Sequence, residues 1–159
     1  MGFDCGFIQE KKWFRYRAAA VIIEENCILF AENEIENYYY SVGGGVHIGE
    51  KAEEAVVREV YEETGIYYEV DRLIFIHENF FKGDGGLKGL DCHEIAFYFL
   101  MKPIGKQEIN RDSYTLNGAK EHMIWIPIQE LHKHKLFPTF LKNKINNFSN
   151  GIEHIITSE

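Results

Sequence analysis

Glu59, Glu62 and Glu63 crowd one end of a stretch, Glu50 to Thr64, that has no Pro or Gly and is rich in helix formers. With about 100° of turn per residue, a helix sets Glu63 about 40° from Glu59 on one side and Glu62 about 60° on the other. The three carboxylates then converge within one turn. Like charges at this spacing destabilise a helix by a few tenths of a kcal/mol, and acidic residues near its C-terminal end also oppose the helix dipole. A solvated acidic face is the ordinary account of such a run, yet a sequence under no functional demand would place Lys or Arg in that last turn. Hard divalent cations such as Mg2+ or Mn2+ prefer oxygen ligands, and a bound cation turns the repulsion into attraction. The chemistry on offer is metal binding and, through it, neutralisation of phosphate oxygens.

Other elements must hold that helix. Ala52, Ala55, Val56 and Val60 recur at spacings of three and four, a stripe suited to packing on a sheet, and Gly65 is the residue type that closes a helix in a left-handed cap. Upstream, Arg15 to Ile23 and Cys27 to Ala31 are apolar runs around Glu24-Glu25-Asn26, which predicts a hairpin. Tyr38 to Val42 predicts a third strand, ending in Gly43-Gly44-Gly45. Downstream, Tyr67 to Phe81 and Asp91 to Met101 predict a hairpin around the Gly-rich tip Lys82 to Leu90. A strand at His122 to Ile126 follows, then a short helix from Pro127 to Leu131 and a last helix from Pro138 to about Asn147. The order is that of an α+β fold in a single domain spanning residues 1–159, with a long central sheet and a helix on each side.

Composition limits the function classes. The chain has 159 residues, of which 45% are hydrophobic and 14% aromatic, enough for a packed core. Its net charge of −8 argues against general binding of a nucleic-acid backbone, and a small anionic substrate would need a bridging cation. No secretory leader and no run of eighteen apolar residues is visible, and Cys5, Cys27 and Cys92 lack the spacing of a zinc site or disulfide framework. A cytoplasmic location, without membrane attachment, is the expectation.

The motif around the helix is specific. Gly44, five residues, Glu50, seven residues, then Arg58-Glu59-Val60-Tyr61-Glu62-Glu63-Thr64-Gly65-Ile66 matches the Nudix box, G-x5-E-x7-R-E-U-x-E-E-x-G-U with U bulky and aliphatic, at every fixed position. The chain therefore resembles the Nudix hydrolases, and the resemblance implies an α/β/α sandwich with a mixed central sheet. It implies hydrolysis of a diphosphate linkage in a nucleoside diphosphate joined to another group, with Mg2+ or Mn2+ as cofactor. By that resemblance Glu59 and Glu63 are direct metal ligands, and Glu62 is a ligand acting directly or through water. Arg58 orients Glu59, and Gly44 or Gly43 offers a backbone carbonyl to the metal. Glu50 supports the loop or binds metal, and Gly65 is structural.

The base that deprotonates water lies, across the family, either in the box or on a downstream loop. Glu121, just before the strand His122 to Ile126, is the first candidate here, with Glu94 and Glu59 as alternatives. For the substrate, Tyr40 and Phe80 could stack a ring, Arg17 could contact phosphate or pair with a surface carboxylate, and Glu94 could line the cleft. The expected partner is a small phosphate-containing molecule such as a nucleotide, with a homodimer possible. A noncatalytic ligand-sensing module on the same fold is the competing reading, set against the retention of all four box glutamates. The longer motif of NADH-cleaving members and a coenzyme A signature are both absent, so a nucleoside triphosphate is a default.

Overall fold

The computed structural model describes residues 2–109, 113–114, 118 and 120–158. In chain order its strands are β1 (Gly6–Gln9), β2 (Lys12–Val21), β3 (Ile23–Glu24), β4 (Cys27–Asn33), β5 (Tyr39–Gly45), β6 (Val70–Lys82), β7 (Asp91–Met101), β8 (Ser113–Tyr114), β9 (Lys120–Pro127), β10 (Leu136–Phe137) and β11 (Glu153–Ser158). Helix α1 (Ala52–Thr64) follows β5, and a short α2 (Leu141–Lys144) follows β10. The main sheet runs β11-β6-β7-β2-β5-β4-β9-β8, and β1 adds to the first half of β2 on the same edge that β5 joins further along. The β2/β7, β6/β11 and β5/β10 pairs are parallel and the rest antiparallel, so the sheet is mixed, in agreement with the expected α+β class.

Strand alternation divides the core into two layers. Ala18, Ala20 and Ile22 point to one face, where they meet Ala52, Ala55, Val56 and Val60 of α1. Ala19 and Val21 point to the other, where Phe75, Tyr98, Leu131, Leu136, Phe140 and Leu141 gather. Ala18 and Ala20 at the centre of β2 leave little more than main chain under α1, which lets the helix sit low on the sheet.

Helix α1 starts after Lys51, whose N–H is taken by the Glu54 side chain at 3.0 Å. It ends where Gly65 turns to φ 77° and its N–H donates to the Tyr61 carbonyl at 2.8 Å. The Thr64 hydroxyl donates back to the Val60 carbonyl at 2.7 Å and accepts the Ile66 N–H at 3.0 Å, which fixes the exit direction. The hairpin expected at Glu24-Glu25-Asn26 is present. Glu25 and Asn26 take φ of 52° and 63°, the paired left-handed conformation that suits tight hairpins.

Three features differ from the sequence expectation. The short helix expected from Pro127 to Leu131 is present, but it is a 3-10 helix and spans Ile128–Lys133. The last helix shrinks to Leu141–Lys144, flanked by tighter bonds such as Leu141 N–H to Pro138 O and Asn147 N–H to Lys144 O, each 3.3 Å. Asn143, Asn146 and Asn147 favour local turns over α-helix, which explains the shortening. Strands β1 and β11 complete the sheet where none was expected. Among the described residues no helix is long and apolar enough to cross a membrane, and all three cysteines are free thiols.

Candidate active site

The end of β5 and the start of the following loop are shaped by glycine. A methyl group at Gly44 would coincide with the Glu59 carboxylate, and one at Gly43 would run into the Ala18 carbonyl and lie 2.7 Å from Ala19 Cα. Only bare main chain allows α1 to bring Glu59 this close to the sheet.

Arg58 is the hub of the loop. Its Nε donates to Glu50 at 2.9 Å and one terminal nitrogen to the other Glu50 oxygen at 3.0 Å, a bidentate grip. The same terminal nitrogen donates to the Gly45 carbonyl at 3.0 Å, while the other reaches Glu59 at 2.8 Å and Glu62 at 3.5 Å. The hydrogen bonds from Arg58 hold the Glu50 carboxyl below its ordinary pKa, against the opposing effect of burial. Glu50 thereby clasps the Arg58 guanidinium, which also donates to Glu59.

Glu63 is 8% exposed, and its Oε2 is buried with no hydrogen-bond partner. Burial raises its pKa well above the usual carboxylate value, the charges of Glu121 and Glu59 add to this, and Arg17 and the Gly43 amide oppose it. Burial likewise raises Glu59, with Arg58 opposing and Glu62 adding to the rise. Glu62 is more open, its side chain 53% exposed. Glu121, on β9, is 7% exposed and accepts the Tyr40 hydroxyl in a short hydrogen bond. Tyr40 also receives Asn33 Nδ2 at 3.3 Å, and burial followed by the Glu121 bond raises its own pKa. Glu59, Glu63 and Glu121 therefore converge from two elements, and Tyr40 meets them through its hydroxyl rather than its ring face.

Arg17 lies behind this cluster on the sheet face opposite α1. It is buried, donating to Ser41 Oγ at 2.9 Å, the Ser41 carbonyl at 2.7 Å and the Tyr98 hydroxyl at 3.5 Å. The expected surface carboxylate is not its hydrogen-bond partner. Burial weakens its charged form, but Tyr98, Glu94, Glu63 and Glu59 more than reverse this. Glu94 sits next to it with Arg15 Nε and a terminal nitrogen on one oxygen, at 3.0 and 2.6 Å. Burial opposes its ionisation, yet Arg15 and Arg17 outweigh burial and lower its pKa. A carboxylate held this way has little tendency to take up a proton.

Phe80 is not brought to this cluster. It is 4.4 Å from the His93 ring in a cross-strand row with Phe14 and Phe7, on the face that α1 covers further along. Phe14 is four residues before Ala18, or about 13 Å along β2. Ser41 and Tyr98, which fix Arg17, went unread in the sequence. Their only signal is a polar atom at an inward-facing strand position, and that position is known only once the register is known.

A divalent cation suits the donor set. The oxygens of Glu59, Glu62 and Glu63 and the Gly44 carbonyl are hard ligands, and the orphaned Glu63 Oε2 lacks the partner that a cation supplies. Among the described residues, however, no three His, Cys, Asp or Glu side chains are yet gathered closely enough to share one.

A family model described as the NUDIX domain matches residues 13–147. A MutT-like protein from Streptomyces ambofaciens is 35% identical over 91 residues, 57% of this chain and 53% of that protein, so the chain spans about half of that relative's length. The nucleoside triphosphatase NudI of Klebsiella pneumoniae is 28% identical over 113 residues, 69% of this chain and 76% of that protein. In fold, the crystal structure of a MutT protein from Bacillus halodurans superposes with a TM-score of 0.67 at 16% identity, covering 91% of this chain and 90% of that one. With the box intact and the family model spanning nearly all of the sheet, the chain belongs to the Nudix family of hydrolases.

Proposed function

We propose that this chain hydrolyses the phosphoanhydride of a nucleoside triphosphate or a similarly small nucleotide, with Mg2+ or Mn2+ held by Glu59, Glu62, Glu63 and the Gly44 carbonyl. The observation that carries the reading is the convergence of Glu59 and Glu63, both with raised pKa, around an orphaned carboxylate oxygen on a complete Nudix box. The nucleoside triphosphatase named among its relatives supports the substrate class.

When bound, a divalent cation neutralises phosphate oxygens and favours in-line attack by water. The remaining work falls to the chain. Glu121 takes the proton of the attacking water, and the Tyr40 hydroxyl holds that carboxylate by a hydrogen bond near Glu63. Arg58 holds Glu59 at the sheet, with its guanidinium anchored by Glu50 and the Gly45 carbonyl. Arg17 supplies fixed positive charge behind both box carboxylates, and Ser41 and Tyr98 keep it in place.

The test is a panel of nucleoside triphosphates, nucleoside diphosphate sugars and dinucleoside polyphosphates, assayed with Mg2+, Mn2+ or chelator for release of phosphate and pyrophosphate. Metal-dependent turnover of a triphosphate, lost in Glu63→Gln, is the expected outcome. The reading fails if no substrate turns over and Glu63→Gln leaves the effect of Mn2+ on thermal unfolding unchanged.

A further inference from the structure

Residues 2–5 run beside Val46–Ile48, the segment that leads from β5 toward α1. Cys5 N–H donates to the Val46 carbonyl at 2.8 Å, Ile48 N–H donates to the Phe3 carbonyl at 2.7 Å, and Asp4 bridges to His47 across the pair. The fit is close on both sides. A methyl at Gly2 would collide with the His47 ring, and a methyl at Gly45 would lie 2.8 Å from the Asp4 carboxylate. Past Cys5 the strand continues as β1 on β2, so this strap is tied to the sheet at one end and to the box loop at the other.

The strap also joins the electrostatics of the loop. Asp4 Oδ1 lies 3.6 Å from His47 Nε2, and His47 Nδ1 lies 3.8 Å from Glu50 Oε1. The His47 backbone N–H donates to that same Glu50 oxygen at 3.0 Å. Glu50 grips Arg58 with both oxygens, and Arg58 holds Glu59. A continuous line of contacts thus runs Asp4, His47, Glu50, Arg58, Glu59, from outside the box to the carboxylate that lies over Gly44. The side-chain contacts of His47 are longer than hydrogen bonds, so their geometry depends on the backbone pairing that pins the strap.

We propose that Asp4 and His47 are positioning residues for Glu59, acting through Glu50 and Arg58 to set the ligand geometry of the box. Neither touches the reacting atoms. The proposal rests on the metal-dependent hydrolase reading above, and outer partners of metal ligands of this kind are typically worth about 10-fold or more in metal affinity or activity. The variants are Asp4→Asn, His47→Gln, their combination, and Ile8→Ser. Ile8 is 61% exposed on β1 and serves as a control for general weakening of the strap.

Steady-state kinetics on the best substrate of the panel are read together with direct Mn2+ titration by electron paramagnetic resonance and with thermal unfolding. Asp4→Asn and His47→Gln are each expected to lower kcat about 10-fold, to weaken Mn2+ several-fold and to leave the nucleotide KM within about twofold. The double variant is expected to match the worse single one, because both act along one line, and Asp4→Glu is expected to recover part of the loss. Wild-type kcat and Mn2+ affinity in both single variants overturn the proposal. Multiplying losses in the double variant, or an equal loss in Ile8→Ser, overturn it as well. Should the unaltered chain turn over no substrate, the hydrolase reading fails on its own, and Mn2+ affinity alone then decides whether Asp4 and His47 shape the site.

Discussion

His77 offers a stability test that needs no substrate. It is 1% exposed, on β6, with Tyr98 and Phe140 packed against its ring. The Thr157 hydroxyl donates to Asn79 Oδ1 at 2.8 Å, so at 2.7 Å from the ring it must accept the Nε2 proton. Nδ1 is then the only place for a second proton, and it is buried with no partner to receive it. Burial lowers the pKa from 6.5 to about 4, with Glu94 pulling it up and Arg17 pushing it down. A depressed pKa means the stabilising contribution is intact above 6.5 and is lost as pH falls toward 4, because the unfolded imidazole takes its proton first. The gap between 6.5 and about 4, at about 1.4 kcal/mol per pH unit, is worth roughly 3 kcal/mol. Urea unfolding of metal-free protein at several pH values should show His77→Gln losing less stability than wild type over that window, by close to one proton in the slope. The amide retains a donor for Thr157, so the neutral-pH cost should stay near about 1 kcal/mol. Identical slopes in the two proteins would refute the assignment of a buried neutral ring.

Other outcomes follow from the site. Glu63→Gln should raise the metal-free melting temperature by about 2–4 °C, since relieving one crowded buried carboxylate is worth on the order of 1 kcal/mol, while abolishing the rise expected with Mn2+. Gly44→Ala should cost about 1–3 kcal/mol in stability and at least about 100-fold in kcat, because the added methyl occupies the Glu59 carboxylate position; calorimetry and kinetics check the two parts. Glu121→Gln should reduce kcat by about 100-fold or more and Tyr40→Phe by about 10-fold, with Glu94→Gln having less effect on kcat than Glu121→Gln at saturating Mg2+. The reverse ranking of the two glutamates would move the base to Glu94.

The box helix was legible because its clustered carboxylates and its packing stripe share one continuous segment, and a helix converts spacing directly into direction. The β2 and β4 strands and the turn between them were legible for a similar reason: Glu25 and Asn26 carry local turn chemistry. What could not be read depends on register. Nothing local to Arg15 names Glu94 as its partner, and nothing near Arg17 names Tyr98, because these pairs form only when β2 and β7 align in parallel. Phe80 was misplaced for the same reason, since its two neighbours on the sheet decide which rings it meets. Strand β11 did carry a local signal, with Ile155, Ile156 and Thr157 following Gly151, but its partner β6 lies more than seventy residues upstream. The C-terminal helix was overread from its apolar residues, and its asparagines were the cue against it.

The glycines at 43 and 44 and the alanines at 18 and 20 have a consequence for how this scaffold can change. The floor beneath Glu59 consists almost wholly of atoms common to every amino acid, so substitution there can only add bulk and has almost nothing to remove. The walls differ. Tyr40 with Glu121, and behind the sheet Arg17 with Ser41 and Arg15 with Glu94, are polar side chains in defined pairs, so a change at one calls for a change at its partner. A search for variants of this scaffold should therefore change these side chains in partnered sets and leave the floor alone.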